Sequence, residues 1–529
     1  MRRLEGEFAA ELALVRPDLS DRYTAALPGA RAAVLGRLWR GLLYEPLPGL
    51  TATGPSRVLL ADGRELTGPE RRPYDLREEP ELRLDGRPYR HPAELLAALG
   101  LPGAAHLVDD LDHSVASMAL SRAGTSPRPG DTVAEHEQSM AEHEQSMVDH
   151  EQSVVDGHPY HPGCRNRPGV SVAEQLAYMP EHRPTVALDL LALPLRECLV
   201  TGPWPASLVD GDRLLLPVHP WQTRHVLPAL GLRPHATGVV PARPLMSVRT
   251  LAPLDGGPHL KTAFTTRMTS GIRDISPGSV RDCVALSDLL TTLAAKCGGT
   301  LRIARYLSGA AGQVAGRHSA DLSCMLREPT AGEPGTVLPV AAVTRSMVSD
   351  PAAWLAAFAR LALTDTLGLL ALGVALEAHG QNLLVALGAD GLPYRLVYRD
   401  LADVRISPAR LARHGIEVPP VSPRLLSDDP AVLHAKLFGS LAGTTFGSLI
   451  AIFGRGDRDA EDRLWEVVAA AARQAFAALP DTADVRAARG ALFGARLLVK
   501  AHLVARLDGA PPGDSWTGLP NYLGAHSHA

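Results

Sequence analysis

The sequence predicts a mixed α+β fold containing at least one antiparallel sheet. Three observations predict it: helical patterning at both ends of the chain, a turn-rich stretch of short strands between them, and a hairpin pattern straight after the most apolar run. Taken in order, Leu12 to Leu43 carries a helical period. Residues 56–90 alternate and turn often, with Asp62-Gly63 as a hairpin signal. Arg122 to Pro129 (RAGTSPRP) reads as a linker. Residues 134–154 repeat a heptad: AEHEQSM, AEHEQSM, VDHEQSV. Seven residues are close to two helical turns, so a helix lengthened by local duplication is expected. His136, His143 and His150 fall in a row along it. Their spacing is not that of a zinc helix and no H-E-x-x-H is present, so the row reads as a solvated face. Residues 155–345 are strand-rich, 351–378 are helical, 381–401 form a hairpin, and about 430–510 are helical again. The closing GAHSHA reads as a frayed tail.

The chain of 529 residues is too long for one ordinary core, so two to four domains or subdomains are expected. A net charge of −4 argues against nucleic-acid binding and requires any anionic ligand to be held by a local cluster of cations. Lysine is scarce: Lys261, Lys296, Lys436 and Lys500 stand alone among many arginines. The five cysteines are odd in number and form no C-x-x-C pair, which fits a reduced, cytoplasmic protein. The N-terminus has acidic residues where a signal peptide needs an apolar run, and the stretch Leu367 to Leu376 is too short to span a bilayer.

Four constellations carry chemistry. The first, residues 157–169 (GHPYHPGCRNRPG), packs His158, His161, Arg165 and Arg167 into a loop stiffened by proline, which suits carboxylate or phosphate binding. In the second, Ser247-Val248-Arg249-Thr250 and Leu260-Lys261-Thr262 flank a turn. A hairpin centred on Asp255 sets Arg249 opposite Lys261, a like-charge pair that an anion would reconcile. The third, Thr269-Ser270-Gly271-Ile272-Arg273-Asp274, reads as a turn running into a short helix, with hydroxyls, backbone N–H groups and an arginine converging. The fourth runs from Glu377-Ala378-His379-Gly380-Gln381-Asn382 to Tyr398-Arg399-Asp400. As a hairpin it returns Asp400 to His379, where Glu377, Asn382 and Asp400 offer oxygens to Mg²⁺. A P-loop and a G-x-S-x-G elbow are both missing: Leu307 to Gly316 is Gly-rich but lacks G-K-[ST].

In this order the segments resemble the NRPS-independent siderophore (NIS) synthetases of the aerobactin-synthetase (IucA/IucC) family. The resemblance rests on GHPYHPGCRNRPG, LPVHPWQ (216–222), SVRT with Lys261 fourteen residues after Ser247, TSGIR, and EAHGQN followed by RDL, and it covers about 150 to 450. It implies a cupped hand with thumb (1–130), fingers (131–345) and palm (346–529), a cytoplasmic homodimer, and ATP held between fingers and palm. By motif match, Ser247, Arg249 and Lys261 hold the phosphates. Glu377 and Asp400 hold Mg²⁺, with Gln381 and Asn382 nearby in the nucleotide site. Thr269, Arg273, Arg165, Arg167, His379 and the His158/His161 loop bind the carboxylic acid, and His219 supports. The implied reaction adenylates a small polycarboxylic acid, citrate or a relative, and joins it to an amine, hydroxylamine or alcohol, with His379 orienting the carboxylate or taking the nucleophile's proton. No nucleic acid or membrane takes part. Two departures stand out: Arg165 replaces the lysine common in the family, and the heptad duplication precedes the first loop. The alternatives are a kinase-like phosphotransferase, in which Gln381 stands where a catalytic Asp is needed, and a non-catalytic carboxylate or siderophore carrier.

Overall fold

A computed structural model describes residues 1–125, 140–269, 271–330, 333–510 and 514–525, without the side chains of 140–143. The expected N-terminal helical run is two helices, Arg3–Val15 and Ser20–Tyr44. Pro17 separates them, because the residue before a proline avoids the helical region; Arg16 has φ −149°. Both pack on the helix Ala105–Gly124 and seal Leu12, Tyr23, Trp39, Leu111 and Val115 from solvent. A five-stranded meander lies between Leu50 and Tyr89, and Asp62-Gly63 joins two of its strands as the sequence indicates.

The strand-rich stretch builds a nine-stranded antiparallel sheet. Its spatial order is Leu199–Thr201, Tyr306–Val314, Arg317–Arg327, His259–Thr262, Thr250–Pro253, Ala236–Pro244, Val186–Pro194, Arg213–Val218 and Val209–Asp210. This stretch also contains a helix that the sequence reading missed, Pro277–Lys296. Its signals were Ser276, which caps the N-terminus by accepting from the Ser279 N–H, and Pro277 at the first helical position. A second, four-stranded sheet holds the expected hairpin, with Leu383 opposite Tyr398.

The heptad helix is described over Met140–Gln152. Residues 134–139 of the first copy, with His136, and the side chain of His143 lie outside the described residues, as do 126–129 of the expected linker and 526–529 of the tail. Met147 and Val148 close a small apolar cluster with Ala252 of the large sheet, Leu245 in the turn before that strand, and Leu384, Ala386 and Val397 of the small sheet. The two sheets meet there.

Helices Pro351–Leu372 and Pro430–Gly454 are long and apolar enough to cross a bilayer, yet they are 67% and 78% buried inside the protein. Beyond Leu492 the expected helix gives way to a hairpin, Arg496–Lys500 with Trp516–Pro520. Its alternating burial is a period of two, which the long helical pattern before it masked. The π-turn Leu441–Phe446 lets the preceding helix lie close against this hairpin: a Cβ on Gly439 would come within 2.7 Å of the Leu498 carbonyl.

Asp365 lies in the helix Pro351–Leu372 with no exposed surface. Burial pushes its carboxyl up to about 6, against a hydrogen bond from Thr300. A carboxyl raised above its unfolded value favours folding where both states are protonated and opposes it as pH rises through about 6. Asp365→Asn is therefore expected to raise stability at pH 8 by roughly 2–3 kcal/mol. Its effect at pH 4 should be much smaller. Thermal melts across pH check this, and an equal gain at both ends would contradict it.

Candidate functional site

The site is built first on the turn before the strand Thr250–Pro253. Val248 takes a left-handed φ of 68°, unfavourable for a β-branched residue, and the turn is closed by Leu245 N–H to Thr250 O at 2.8 Å. The Ser247 hydroxyl is left buried with no hydrogen-bond partner. The register differs by one residue from the expected one: Thr250, not Arg249, stands opposite Lys261. The hairpin pivots between Asp255 and Gly256, with Gly256 and Gly257 both at positive φ, so Arg249 aligns with Thr262, whose N–H it accepts at 2.8 Å.

Both cations still act on Asp400, Lys261 by direct contact and Arg249 through space while its guanidinium donates to the Asp274 carbonyl. Lys261 is almost wholly buried, and its Nζ donates to Asp400 Oδ1 at 2.7 Å and to Tyr306 Oη at 3.1 Å. Burial works against ionisation of Asp400; Lys261, then Arg249 and Arg327, overcome it and hold the carboxyl well below the usual range. Burial pushes Lys261 itself down to about 8 despite Asp400. Asp400 has φ 68°, a left-handed conformation that an Asp tolerates and that ends the strand here.

The other wall is the segment Glu377–Asn382. The peptide of Ala378 is clamped by one helix: Ser440 Oγ accepts its N–H at 2.9 Å and Thr445 Oγ1 donates to its carbonyl at 2.8 Å. Glu377 and His379 are thereby fixed on either side. Glu377 Oε1 meets Lys500 at 2.7 Å and Lys436 at 3.5 Å, and its Oε2 lies 3.9 Å from His379 Nε2. Lys436 also pairs with Asp403 at 2.7 Å and Asp514 at 3.1 Å. Burial opposes ionisation of Glu377, but Lys500, then His379 and Lys436, hold it low. Asn382 Nδ2 donates to the Glu377 carbonyl at 3.2 Å, so in this state its amide braces the turn. The Gln381 carbonyl accepts from Arg399 Nε at 3.0 Å.

The first loop forms the third side. His158 and His161 face His502, with ring centroids 4.7 and 4.9 Å away. Nδ1 of His158 accepts from the Tyr160 N–H at 3.2 Å and Nδ1 of His161 from the Gly163 N–H at 2.9 Å. These bonds place the neutral-state proton on Nε2. Burial, then neighbouring cationic groups, push His161 down to about 3 and His158 well down. His161 Nε2 is buried without a partner. Neutral N–H donors of this kind can hydrogen-bond a carboxylate without burying a further charge. Thr269 joins the loop through its N–H to Asn166 O at 3.1 Å and its hydroxyl to Cys164 O at 3.3 Å.

Around Arg273 the chain is a strand hairpin, Phe264–Met268 with Gly271–Arg273, and not the expected short helix; Ser270 lies outside the described residues. The helix cap belongs instead to Ser276, three residues on. Burial lowers Arg273 to about 10; Arg249 adds to this while Asp400 and Glu377 oppose it, so it stays cationic at neutral pH between the two walls.

Arg165 and Arg167 are placed differently from expectation. Arg167 pairs with buried Glu181 at 2.8 Å, and Arg165 donates to the Val155 and Val154 carbonyls, both at 2.7 Å. In this structure they anchor the loop. Glu181, three residues beyond the end of the next helix (Val172–Tyr178), supplies the counter-charge that the motif alone does not contain. His219 caps a short helix through Trp221 and packs on Phe264, behind the Arg273 hairpin.

Sequence reasoning missed Lys436, Lys500, Asp403, Asp514 and His502. The signal was available: three of the chain's four lysines stand in this one site. Among the described residues no three His, Cys, Asp or Glu side chains group to hold a metal unaided. Glu377 and Asp400 are two ionised carboxylates that both act on Arg273, a donor set that fits a hard divalent ion taking its other ligands from phosphate oxygens and water.

Residues 146–345 match the IucA / IucC family, and residues 352–511 match a family described as ferric iron reductase FhuF-like transporter. Staphyloferrin A synthase of Staphylococcus aureus is 22% identical over 404 residues, 66% of this chain and 68% of that protein. Petrobactin biosynthesis protein AsbB from Bacillus anthracis shares the fold with a TM-score of 0.74 at 16% identity, over 96% of this chain and 98% of that one. ATP-bound aerobactin synthetase IucA from Klebsiella pneumoniae gives a TM-score of 0.73 at 19% identity, over 93% and 99%. The two matched regions meet at the site: the first carries Ser247, Arg249, Lys261, Thr269 and Arg273, the second Glu377, His379, Asp400, Lys436 and Lys500.

Proposed function

We propose that this chain, which belongs to the IucA/IucC family of NRPS-independent siderophore synthetases, uses ATP to adenylate a small polycarboxylic acid and then joins the acyl group to an amine, hydroxylamine or alcohol. One observation carries the reading: Lys261 of the large sheet, Arg249 in the turn before it and Arg273 of the small hairpin act on Asp400, while Lys436, Lys500 and His379 gather on Glu377. Each carboxylate is compensated without ligand, so an arriving anion meets cations already held in place.

ATP and the acid are both anions and repel. Ser247, Arg249 and Lys261 take the phosphates, and Gln381 and Asn382 border the nucleotide. Glu377 and Asp400 would hold Mg²⁺, which would supply charge to neutralise the phosphates. Arg273, Thr269, His379 and the neutral Nε2–H groups of His158 and His161 hold the acid, bringing a carboxylate oxygen in line with the α-phosphorus. His502, Lys436 and Lys500 join this set. Arg165 and Arg167 act through the loop they anchor. His379 accepts the Gln381 N–H on Nδ1 at 3.3 Å, so its neutral form turns Nε2–H toward the site and orients the acid's carboxylate. A cytoplasmic homodimer with parts 1–130, 131–345 and 346–529, free of nucleic acid and membrane, completes the reading.

Product analysis tests it. Incubation with ATP, Mg²⁺, hydroxylamine and a panel of di- and tricarboxylic acids is expected to give a hydroxamate with AMP and pyrophosphate in equal amounts. ADP as the product would make the protein a phosphotransferase, and ligand binding without turnover a carrier.

A further inference from the structure

The heptad helix is the feature that the proposed reaction leaves without a role. Glu151, from its third copy, has no exposed surface. Its Oε2 accepts the Met246 N–H at 2.8 Å, and its Oε1 pairs with Arg399. Met246 precedes Ser247; Arg399 precedes Asp400 and donates through Nε to Gln381 O at 3.0 Å. One carboxylate thus grips both walls of the nucleotide site from behind. The next residue, Gln152, is equally buried and donates to Pro244 O at 3.0 Å, at the strand end that leads into the same turn. One heptad earlier, Glu144 pairs with His259, which in turn meets Arg327 at 2.9 Å. Residues seven apart share a helix face, so the repeated Glu aligns along the seam where the two sheets meet.

Resting on the ligase reading, we propose that Glu151 is a positioning residue of the nucleotide site. It locks the Ser247–Arg249 turn to the strand end that carries Asp400, and the repeat supplies this carboxylate-bearing face in interchangeable copies. Arg327 and Arg399 repel each other and are compensated by Glu151 and Asp400. With Glu151 neutral, both arginines fall to Asp400, which then offers less to Mg²⁺, while the phosphate turn loses its tether.

Calorimetry of Mg²⁺–ATP binding to the full chain tests this, alongside pyrophosphate exchange with the best acid. Glu151→Gln is expected to weaken Mg²⁺–ATP about tenfold and to leave the KM for the acid within about twofold. Should the amide variant fail to fold, Glu151→Asp keeps the charge and shortens its reach by one methylene, with the same direction expected. Deleting residues 141–147 leaves an identical heptad in their place, so nucleotide affinity should stay within about twofold of wild type. Glu151 variants that bind nucleotide like wild type, or that shift ATP and acid equally, overturn the inference. Failure of the wild-type chain to bind Mg²⁺–ATP would instead remove the ligase reading on which it rests.

Discussion

Arg273→Ala is expected to lower acid-dependent pyrophosphate exchange by about a thousandfold while weakening ATP binding far less. Arg273 is a buried guanidinium that feels Arg249 on one side and Asp400 and Glu377 on the other. It stands between the Arg249 turn and the loop of His161. Of its donors, Nη2 is engaged with the Met268 carbonyl at 3.0 Å, which fixes the fork's orientation without consuming it. A planar fork can grip a carboxylate with two parallel bonds, which a point charge cannot. Arg273→Lys should therefore recover only a small part of the activity. Near-normal exchange in the alanine variant would take Arg273 out of the site.

Asp400→Asn is expected to lose activity by two to three orders of magnitude and stability by roughly 3–5 kcal/mol, because Lys261 is left buried without its counter-charge. The two losses can be separated. In the double variant Asp400→Asn/Lys261→Met the unpaired charge is gone, so the melting temperature should recover toward wild type while activity does not. Recovery of activity together with stability would mean that the pair only holds the fold. A Mg²⁺ titration adds a second reading: the single variant should need far more metal for half-maximal exchange than wild type.

The elements most legible in the sequence were those with long, clean periods and strong punctuation. The hairpin 381–401 was legible because a helix stops at Gly373, apolar strands follow, and a turn of Gly, Ala and Asp separates them. The convergence of Arg249 and Lys261 was legible from their flanking of a turn, but not their register. Two consecutive glycines at positive φ shift the pivot by half a residue, and no side-chain pattern reports that. The hairpin at Arg273 was hidden because Thr269-Ser270-Gly271 carries the same residue types as a helix cap. Arg165 and Arg167 look alike in the motif and like ligand-binding residues. Only the folded chain brings up Glu181 to claim them. Lys436 and Lys500 belong to a helix and a distant strand, 64 residues apart in number, and meet at Glu377 because glycines at 439 and 443 allow close packing. Their rarity marked them; their meeting did not show in any local pattern.

In the proposed reaction both walls close on one nucleotide and direct a carboxylate oxygen to its α-phosphorus. Turnover with acid labelled by oxygen-18 in its carboxylates measures this directly. AMP carrying a single labelled oxygen is expected when the acyl group passes to the nucleophile. Unlabelled AMP, or label appearing in inorganic phosphate beside ADP, would contradict it.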